Sequence, residues 1–379
     1  MNLTSRERIM RIIQGKPVDR PAVKLWGLQP GQKLLHPNYK QVYDLAIETT
    51  DLFCGVSSPF DFITGASTGF YEIIKRPKSE EWTEVETLLH TPEGVLSSIR
   101  LKSNTGKPGY TLTHFIKEPD DIKKILSIPY EPYPVSLESY YKMKREIGDN
   151  GIVMFSLGHA GYAVQRLMGS ELLALFSVDE RELLKHLIEV FAERLRNHVK
   201  AALDAGLGDR GKEEDLVFGW VGPELLIPPL LSYKDFNEFC FEIDKPLMDM
   251  IHEAGGNIWI HCHGKVGRLI KCFAEMGCDV LNPIEPPPMG DISLEDAFKE
   301  AAGRMALEGN IEIHEIMEAS GERLIELIED AVKTGAKYGR FILCQSSNYM
   351  AVPKPPETML RNLMIYVRYG VEYAKKYHY

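Results

Sequence analysis

The sequence of 379 residues lacks the features that mark nucleotide-binding, membrane-spanning and secreted proteins. No G-x-G-x-x-G or G-x-x-x-x-G-K-[ST] segment follows a predicted strand, so nucleotide binding has no motif support. No run of about 18 apolar residues is present, so we expect no transmembrane helix. The first residues, MNLTSRERIMRII, are charged and contain no long apolar core. We therefore do not expect them to form a secretory signal.

Paired cysteines and basic clusters are missing too. The six cysteines, at positions 54, 240, 262, 272, 278 and 344, form no C-x-x-C pair. Most have apolar neighbours, which predicts reduced thiols in a cytoplasmic protein. Acidic residues outnumber basic ones by 54 to 44, and the formal net charge is −10. This charge argues against a nucleic-acid partner and against binding to anionic membranes.

What the sequence does contain is a regular alternation of strand and helix patterns. Thr4 and Glu7 form a capping-box signal for a helix over roughly 5–14. Helical patterns separate nearly all of the later apolar runs, and without a phosphate-binding fingerprint this favours a (β/α)8 TIM barrel over a doubly wound sheet. The runs predicted to be strands are 22–27, 52–57, 152–158, 216–220, 257–263, 279–284, 305–310 and 341–346.

Residues 84–115 depart from this alternation. Apolar and polar residues alternate there around turns at 91–94 and 104–106, which predicts an antiparallel hairpin or small meander. The expected organisation is a single barrel domain over 1–379. It would carry an N-terminal helical extension over 1–20 and a β insertion over 84–115.

Polar and aromatic side chains collect where the predicted strands end. In a barrel of this kind the working residues lie at the C-terminal ends of the strands, so these positions are candidates for one shared site. In chain order they are Trp26, Asp61, His159, Trp220, Glu224, His261, His263, Glu285, Asn310, Cys344, Gln345 and Ser347.

His261 and His263 are the leading metal-ligand candidates. Period-two alternation places them on one face of a strand with Trp259, and Cys262 on the other face. Two neighbouring imidazoles form a common metal half-site, although a barrel histidine is also often a hydrogen-bonded core residue. Glu224 and Cys344 can complete a tetrahedral set. Glu224 is otherwise a cap for the next segment, and Cys344 a small apolar filler.

Glu285 and Asn310 are candidate catalytic groups together with His261. Glu285 stands before three prolines, which fix the backbone and present a carboxylate suited to a general base or a substrate acceptor. A salt bridge at the barrel rim is the alternative. Asn310 follows a glycine and is either a turn residue or an amide that binds substrate.

Six segments together resemble the uroporphyrinogen decarboxylase superfamily, and within it the cobalamin-dependent methyltransferases. They are SRERIMRIIQGKPVDRPAV, PPLLSYKDFNEF, IHCHG, LEGNIEI, FILCQSSNY and PPETMLRNLMIYV, in that order along most of the chain. The resemblance implies a (β/α)8 barrel. The decarboxylases carry an arginine-rich RQAGR segment that grips substrate carboxylates. Here the same region reads LWGLQPGQK, so porphyrinogen decarboxylation is not expected.

A second departure concerns the metal. Methyltransferases of this kind that deliver methyl groups to thiols hold zinc with His-x-Cys and a distant cysteine. His261 matches the histidine, and His263 stands in place of the cysteine. Ser347 is nearest to the distant cysteine, and Cys344 lies three residues earlier.

A ligand set of two histidines and Glu224 is harder than a thiolate set and leaves zinc a stronger Lewis acid. We therefore expect zinc held by His261, His263 and Glu224, and a methoxylated small molecule as the methyl donor. A corrinoid supplied by a partner protein would accept the methyl group. Substrate-binding candidates in an aromatic pocket are Trp26, Asp61, His159 and Trp220, with Phe60 and Tyr162.

Two alternative functions remain at this point. One is a metal-independent decarboxylase or lyase of the same barrel, with the histidines acting as acid and base. Another is a corrinoid or tetrapyrrole carrier, which the absence of a D-x-H-x-x-G motif disfavours. The sequence is also compatible with a homodimer but does not fix the oligomeric state.

Overall fold

The computed structural model of the protein describes residues 2–208, 215–349 and 352–377. Twelve strands are formed within these ranges. In chain order they are β1 (Ala22–Val23), β2 (Leu52–Val56), β3 (Tyr71–Pro77), β4 (Trp82–Thr91), β5 (Gly94–Ser103), β6 (Tyr110–Thr113), β7 (Gly151–Gly158), β8 (Val217–Val221), β9 (Asn257–His261), β10 (Val280–Ile284), β11 (Ala306–Ile311) and β12 (Phe341–Gln345).

Thirteen α-helices are described, most of them lying between strands. They are α1 (Ser5–Ile13), α2 (Lys40–Thr49), α3 (Pro119–Leu126), α4 (Glu138–Ile147), α5 (Ala160–Asp179), α6 (Arg181–Asp204), α7 (Tyr233–Phe236), α8 (Glu242–Glu253), α9 (Ile270–Met276), α10 (Leu294–Ala301), α11 (Ile313–Glu318), α12 (Gly321–Tyr338) and α13 (Glu357–Lys376). None of the described helices is both long and apolar enough to cross a membrane.

Eight strands form one parallel sheet in the order β1-β12-β11-β10-β9-β8-β7-β2. Its two end strands are linked through Asp51. The Asp51 amide donates to the Val23 carbonyl at 2.8 Å, and the Val23 amide donates to the Asp51 carboxylate at 2.8 Å. Helices between successive parallel strands and this closure give a (β/α)8 barrel, which confirms the predicted fold.

Helix α1 packs against the barrel interior at the N-terminal ends of the strands. The capping box at Thr4 and Glu7 is formed as the sequence predicts. The apolar face of α1 packs against inward side chains from every barrel strand, so the N-terminal end of the barrel is covered. The opposite, C-terminal end is left for a site. The inward apolar side chains are Ala22, Phe53, Ile152, Met154, Val217, Trp259, Val280, Ala306 and Ile342.

The predicted β insertion is larger than expected. Strands β3, β4, β5 and β6 form a four-stranded antiparallel sheet, so the unit begins at Tyr71 rather than at residue 84. The turn between β4 and β5 lies where predicted, with the Thr91 hydroxyl accepting the Glu93 amide. The strand β3 was missed because its apolar residues are exposed and few. In the barrel, β1 is also shorter than the predicted 22–27.

Candidate active site

Two imidazoles lie side by side at the C-terminal end of β9. The rings of His261 and His263 have centroids 4.5 Å apart and meet edge to face at 86°. His261 is buried, whereas the side chain of His263 is 38% exposed. Alternation along the strand thus places one imidazole inside the barrel and the next at its mouth.

His261 is oriented by a buried amide. Its Nδ1 lies 2.6 Å from Oδ1 of Asn282, whose Nδ2 donates to Oε1 of Glu308 at 2.8 Å. Because the amide nitrogen is committed to the carboxylate, its oxygen must accept from His261, which places the imidazole proton on Nδ1. Burial, with the neighbouring His263 and Lys24, lowers the pKa of His261 to about 4. At neutral pH its Nε2 therefore carries a lone pair.

His263 is held by Glu285 in a similar way. Nδ1 of His263 lies 2.9 Å from Oε1 of Glu285, while Oε2 accepts the Gly264 amide at 2.8 Å. Gly264 has φ of +96°, a backbone conformation that favours glycine. Burial opposes a charge on His263, but the hydrogen bond and negative charge of Glu285 outweigh it, so its pKa is raised.

An ion pair beneath the imidazoles fixes the network from inside the barrel. Nζ of Lys24 donates to Oε1 of Glu308 at 2.7 Å, and Nε1 of Trp259 donates to Oε2 at 2.8 Å. The Lys24 ammonium also lies 4.6 Å from the ring centre of Trp26 and 4.5 Å from that of Trp259. Trp26 in turn stacks on His261 with centroids 4.8 Å apart. The Lys24–Glu308 pair is almost completely buried.

Several buried polar atoms around this centre lack a hydrogen-bond partner within the described part of the chain. Glu224 contributes Oε2, Asn310 contributes Oδ1, and Glu312 contributes Oε1. Unpaired buried polar atoms are costly, and in native proteins they often mark a site for a ligand, ion or water. Glu224 and Glu312 both act electrostatically on His263, so they belong to the same neighbourhood.

Glu312 has an unusual carboxyl group. Burial and the negative charge of Glu285 raise its pKa to about 7, against the opposing hydrogen bond from Ser346, whose Oγ donates at 3.2 Å. A carboxyl group with a pKa near neutrality can give or take a proton. Glu312 is thus an acid–base candidate that sequence reasoning missed.

The predicted ligands fit a metal to different degrees. His261 and His263 keep their Nε2 atoms out of the two anchoring bonds, and the buried unpaired oxygen of Glu224 suits a cation. Cys344 fits least, because burial and the nearby Glu308 carboxylate raise the pKa of its thiol well above the usual value. A protonated thiol is a poor zinc ligand.

Within residues 2–208, 215–349 and 352–377, only one group of three or more potential ligands brings its ligand atoms within 4.8 Å of one another, and it is not the predicted set of His261, His263 and Glu224. The side chains of His159, Cys240 and Asp244 place theirs within 4.8 Å of one another, and all three are buried. Nε2 of His159 lies 2.7 Å from Oδ2 of Asp244, and the Cys240 thiol donates to the same oxygen at 3.2 Å. The group can hold a metal, but as it stands its hydrogen bonds are satisfied internally.

The structure corrects the predicted pocket at two positions. His159 and Trp220 lie in the layer between strands and helices, with centroids 5.7 Å apart, and do not face the barrel mouth with Trp26. Alternation explains this for Trp220, since its neighbour Gly219 occupies the inward position beside Trp259. Cys262 also packs in this layer, as predicted.

Asp61 lies away from the imidazoles, in a cavity of about 410 Å³. Phe60 and Tyr162 line the same cavity, which extends from the ends of β2 and β7 towards α5 and α6. The structure therefore separates the predicted residues. Trp26 stacks on His261, Glu285 hydrogen-bonds to His263, and Glu224 acts electrostatically on His263. Asn310 lines a cleft together with Glu312, whereas Phe60, Asp61 and Tyr162 line the 410 Å³ cavity.

Lys24, Asn282 and Glu308 were missed by the sequence reasoning, although a signal for two of them exists. Lys24 is two residues before Trp26, and Glu308 is two residues before Asn310. The residue two positions before a residue at the barrel rim occupies the next inward-facing position of the same strand. Asn282 has no comparable sequence signal apart from its position in a predicted strand.

The comparisons with known proteins agree with this architecture. The uroporphyrinogen decarboxylase (URO-D) family profile matches residues 87–369. The chain therefore belongs to the uroporphyrinogen decarboxylase family, which confirms the predicted superfamily. No curated protein matches the sequence.

Among solved structures, a methyltransferase from Methanosarcina mazei is similar over nearly the whole length of both chains. It is 14% identical, covers 97% of this chain and 98% of that chain, and has a TM-score of 0.60. At this identity the match establishes the fold. D-psicose 3-epimerase with D-tagatose from Clostridium cellulolyticum H10 is 13% identical and covers 63% of this chain and 84% of that chain. Its TM-score is 0.35, too low to inform function.

Proposed function

We propose that the protein is a zinc-dependent methyltransferase that moves a methyl group from a methoxylated small molecule to a reduced corrinoid held by a partner protein. The observation that carries the proposal is the pair His261 and His263. Each imidazole is anchored through Nδ1, which leaves both Nε2 atoms for a metal. Family membership and the overall likeness to a methyltransferase structure support the same reading.

Zinc would be held by His261, His263 and Glu224. The buried, unpaired Oε2 of Glu224 is the feature that makes a cation suitable here. Hydrogen-bonded carboxylates and amides behind metal-binding histidines fix their orientation, and Asn282 and Glu285 occupy these positions. When bound, zinc supplies Lewis acidity at an ether oxygen.

The residues of the chain then orient the substrate and manage one proton. Transfer breaks the bond between the methyl carbon and the ether oxygen, and the electron pair of that bond stays on the oxygen. The oxygen must take up a proton to leave as a hydroxyl. Glu312, with its pKa near 7, is suited to donate it, and Asn310 offers a buried unpaired amide oxygen to a substrate group. Trp26 shields His261 from water on one side by stacking.

The rival function is a metal-independent decarboxylase or lyase, which the raised pKa of Glu312 beside Glu285 and His263 favours. Metal analysis separates the two. The proposal expects about one zinc ion per chain at the histidine pair and loss of activity with a chelator. Purified protein without zinc, together with activity that a chelator leaves unchanged, would support the lyase instead.

His159, Cys240 and Asp244 could also hold zinc, so the metal measurement must show which of the two sites is occupied. Replacement His263→Ala should remove the zinc, whereas Cys240→Ala should not. The opposite result would place the metal among His159, Cys240 and Asp244.

A further inference from the structure

The cavity beside the barrel mouth has walls suited to a flat aromatic ring. Phe60 and Phe62 meet edge to face at 4.7 Å, and Phe62 stacks on Phe191 at 5.3 Å. Tyr162 lines the same space. The volume of about 410 Å³ is in the range of small-molecule pockets and suits a single substituted ring.

The loop that brings Phe60 and Phe62 to the cavity is fixed in place. Oδ1 of Asp61 accepts the amides of Ile63 and Thr64 at 2.9 and 2.6 Å. Arg194 donates from α6 to the carbonyls of Phe62 and Ile63. The aromatic wall is therefore formed before any ligand arrives, which lowers the entropic cost of binding.

Two polar groups of the cavity have no partner in the described structure. His198 is 6% exposed and lines the cavity with its ring 4.8 Å from Phe60, yet neither of its nitrogens is hydrogen-bonded to the residues described. Arg166, at the edge of the cavity, forms no ion pair with any described carboxylate. One neutral hydrogen-bonding group and one free guanidinium thus face the same space as the aromatic rings.

We propose that this cavity binds a monocyclic aromatic carboxylate, with its ring between Phe60 and Tyr162 and its carboxylate on Arg166. The guanidinium fork matches a carboxylate in a bidentate manner. The negative charge of Asp61 directs the carboxylate away from the loop and towards Arg166. His198 then meets a ring substituent. Burial lowers the pKa of His198, so its imidazole is neutral and binds an uncharged group.

The cavity reaches the strand level of the histidine pair. Gly158, which lines it, is in register with Val221, and Val221 is in register with His261. Neighbouring strands lie about 4.8 Å apart, so Gly158 and His261 are separated by roughly 10 Å. Binding of the aromatic acid in this cavity is independent of the proposed function. The further statement that the bound acid is the methyl donor rests on the proposed function.

Calorimetric titration with 3-methoxybenzoate and with its neutral analogue 3-methoxybenzamide tests the assignment. The acid should bind at least tenfold more tightly than the amide. Replacement Arg166→Gln should remove this difference, whereas Arg196→Gln, an arginine on α6 outside the cavity, should leave it unchanged. Ala163→Phe, which fills the cavity, should weaken binding of both compounds.

Equal affinities for the acid and the amide in the parent protein, or an Arg166→Gln variant that keeps the preference, would overturn the assignment. The titrations need neither zinc nor a corrinoid. An acid that binds as described but is never demethylated would therefore contradict the proposed function alone. Demethylation of neutral methoxylated compounds without binding of the acid would contradict only the cavity assignment.

Discussion

The imidazoles of His261 and His263 meet edge to face with their centres 4.5 Å apart, and each is anchored by a different side chain. Asn282 fixes the inner ring and Glu285 the outer one. The two anchors come from β10 and from the residue that follows it. One neighbouring strand therefore sets the orientation of both candidate ligands.

Replacing His263 tests its role as a metal ligand. The variant His263→Ala should lose zinc and turnover while its thermal midpoint stays within about 2 °C, because the side chain is 38% exposed and a surface substitution costs little. The matched control is Cys262→Ser, which alters the adjacent residue in the helix-facing layer and should keep both zinc and turnover. Retained zinc together with a large loss of stability in His263→Ala would indicate a structural histidine.

Asn282 should raise the affinity for zinc by holding His261 in the orientation that the metal needs. The variant Asn282→Ala removes the acceptor that holds Nδ1 of His261, and we expect zinc affinity to fall about 10- to 100-fold. Competition with a chromophoric chelator measures the change. Asn257→Ala is the control, since Asn257 bonds the Leu216 carbonyl at the other end of β9. Equal effects of the two variants would show that Asn282 acts on the strand and not on the metal site.

Breaking the buried ion pair between Lys24 and Glu308 should strongly lower the free energy of unfolding. The variant Glu308→Gln leaves the Lys24 ammonium buried without its counter-charge, and we expect a loss of about 3–5 kcal/mol in the free energy of unfolding. Chemical denaturation measures it. The exposed pair Lys245 and Asp249 is the control, and Asp249→Asn should change stability by less than about 0.5 kcal/mol. A loss below 1 kcal/mol for Glu308→Gln would show that Lys24 finds another partner or reaches water.

The sequence alone predicted the barrel fold and many of the residues at the C-terminal ends of its strands. Other features were missed, each for a different physical reason. Strand and helix periods are local, so helix α1 and the strands around His261 were predicted within a residue or two. The Lys24–Glu308 contact joins residues 284 positions apart and depends on which strands become neighbours. His159 and Trp220 were misplaced because alternation shows which residues of a strand share a face but not which face points into the barrel. The hydrogen bond between His261 and Asn282, like the contact between Lys24 and Glu308, depends on which strands become neighbours.

Glu312 should make stability depend on pH. Its pKa in the folded protein, about 7, lies above the ordinary value of 4.5, so folding favours the protonated form. The stabilisation is complete below about pH 4.5 and is lost as the pH rises through 7. The variant Glu312→Gln should therefore gain about 1–3 kcal/mol over the parent at pH 8 and nothing at pH 4. Denaturation at both pH values checks this, with exposed Glu318→Gln as the control. A gain that is the same at both pH values would contradict the raised pKa.

The most direct test of the central claim is methyl transfer itself. Purified protein, zinc, free reduced cobalamin and 3-methoxybenzoate carrying an isotopic label in its methyl group are combined, and the products are separated by chromatography. The account predicts 3-hydroxybenzoate in equal amount to labelled cobalamin, with no product from His263→Ala or in the presence of chelator. Release of carbon dioxide without transfer of the label, or transfer that neither chelator nor His263→Ala affects, would contradict it.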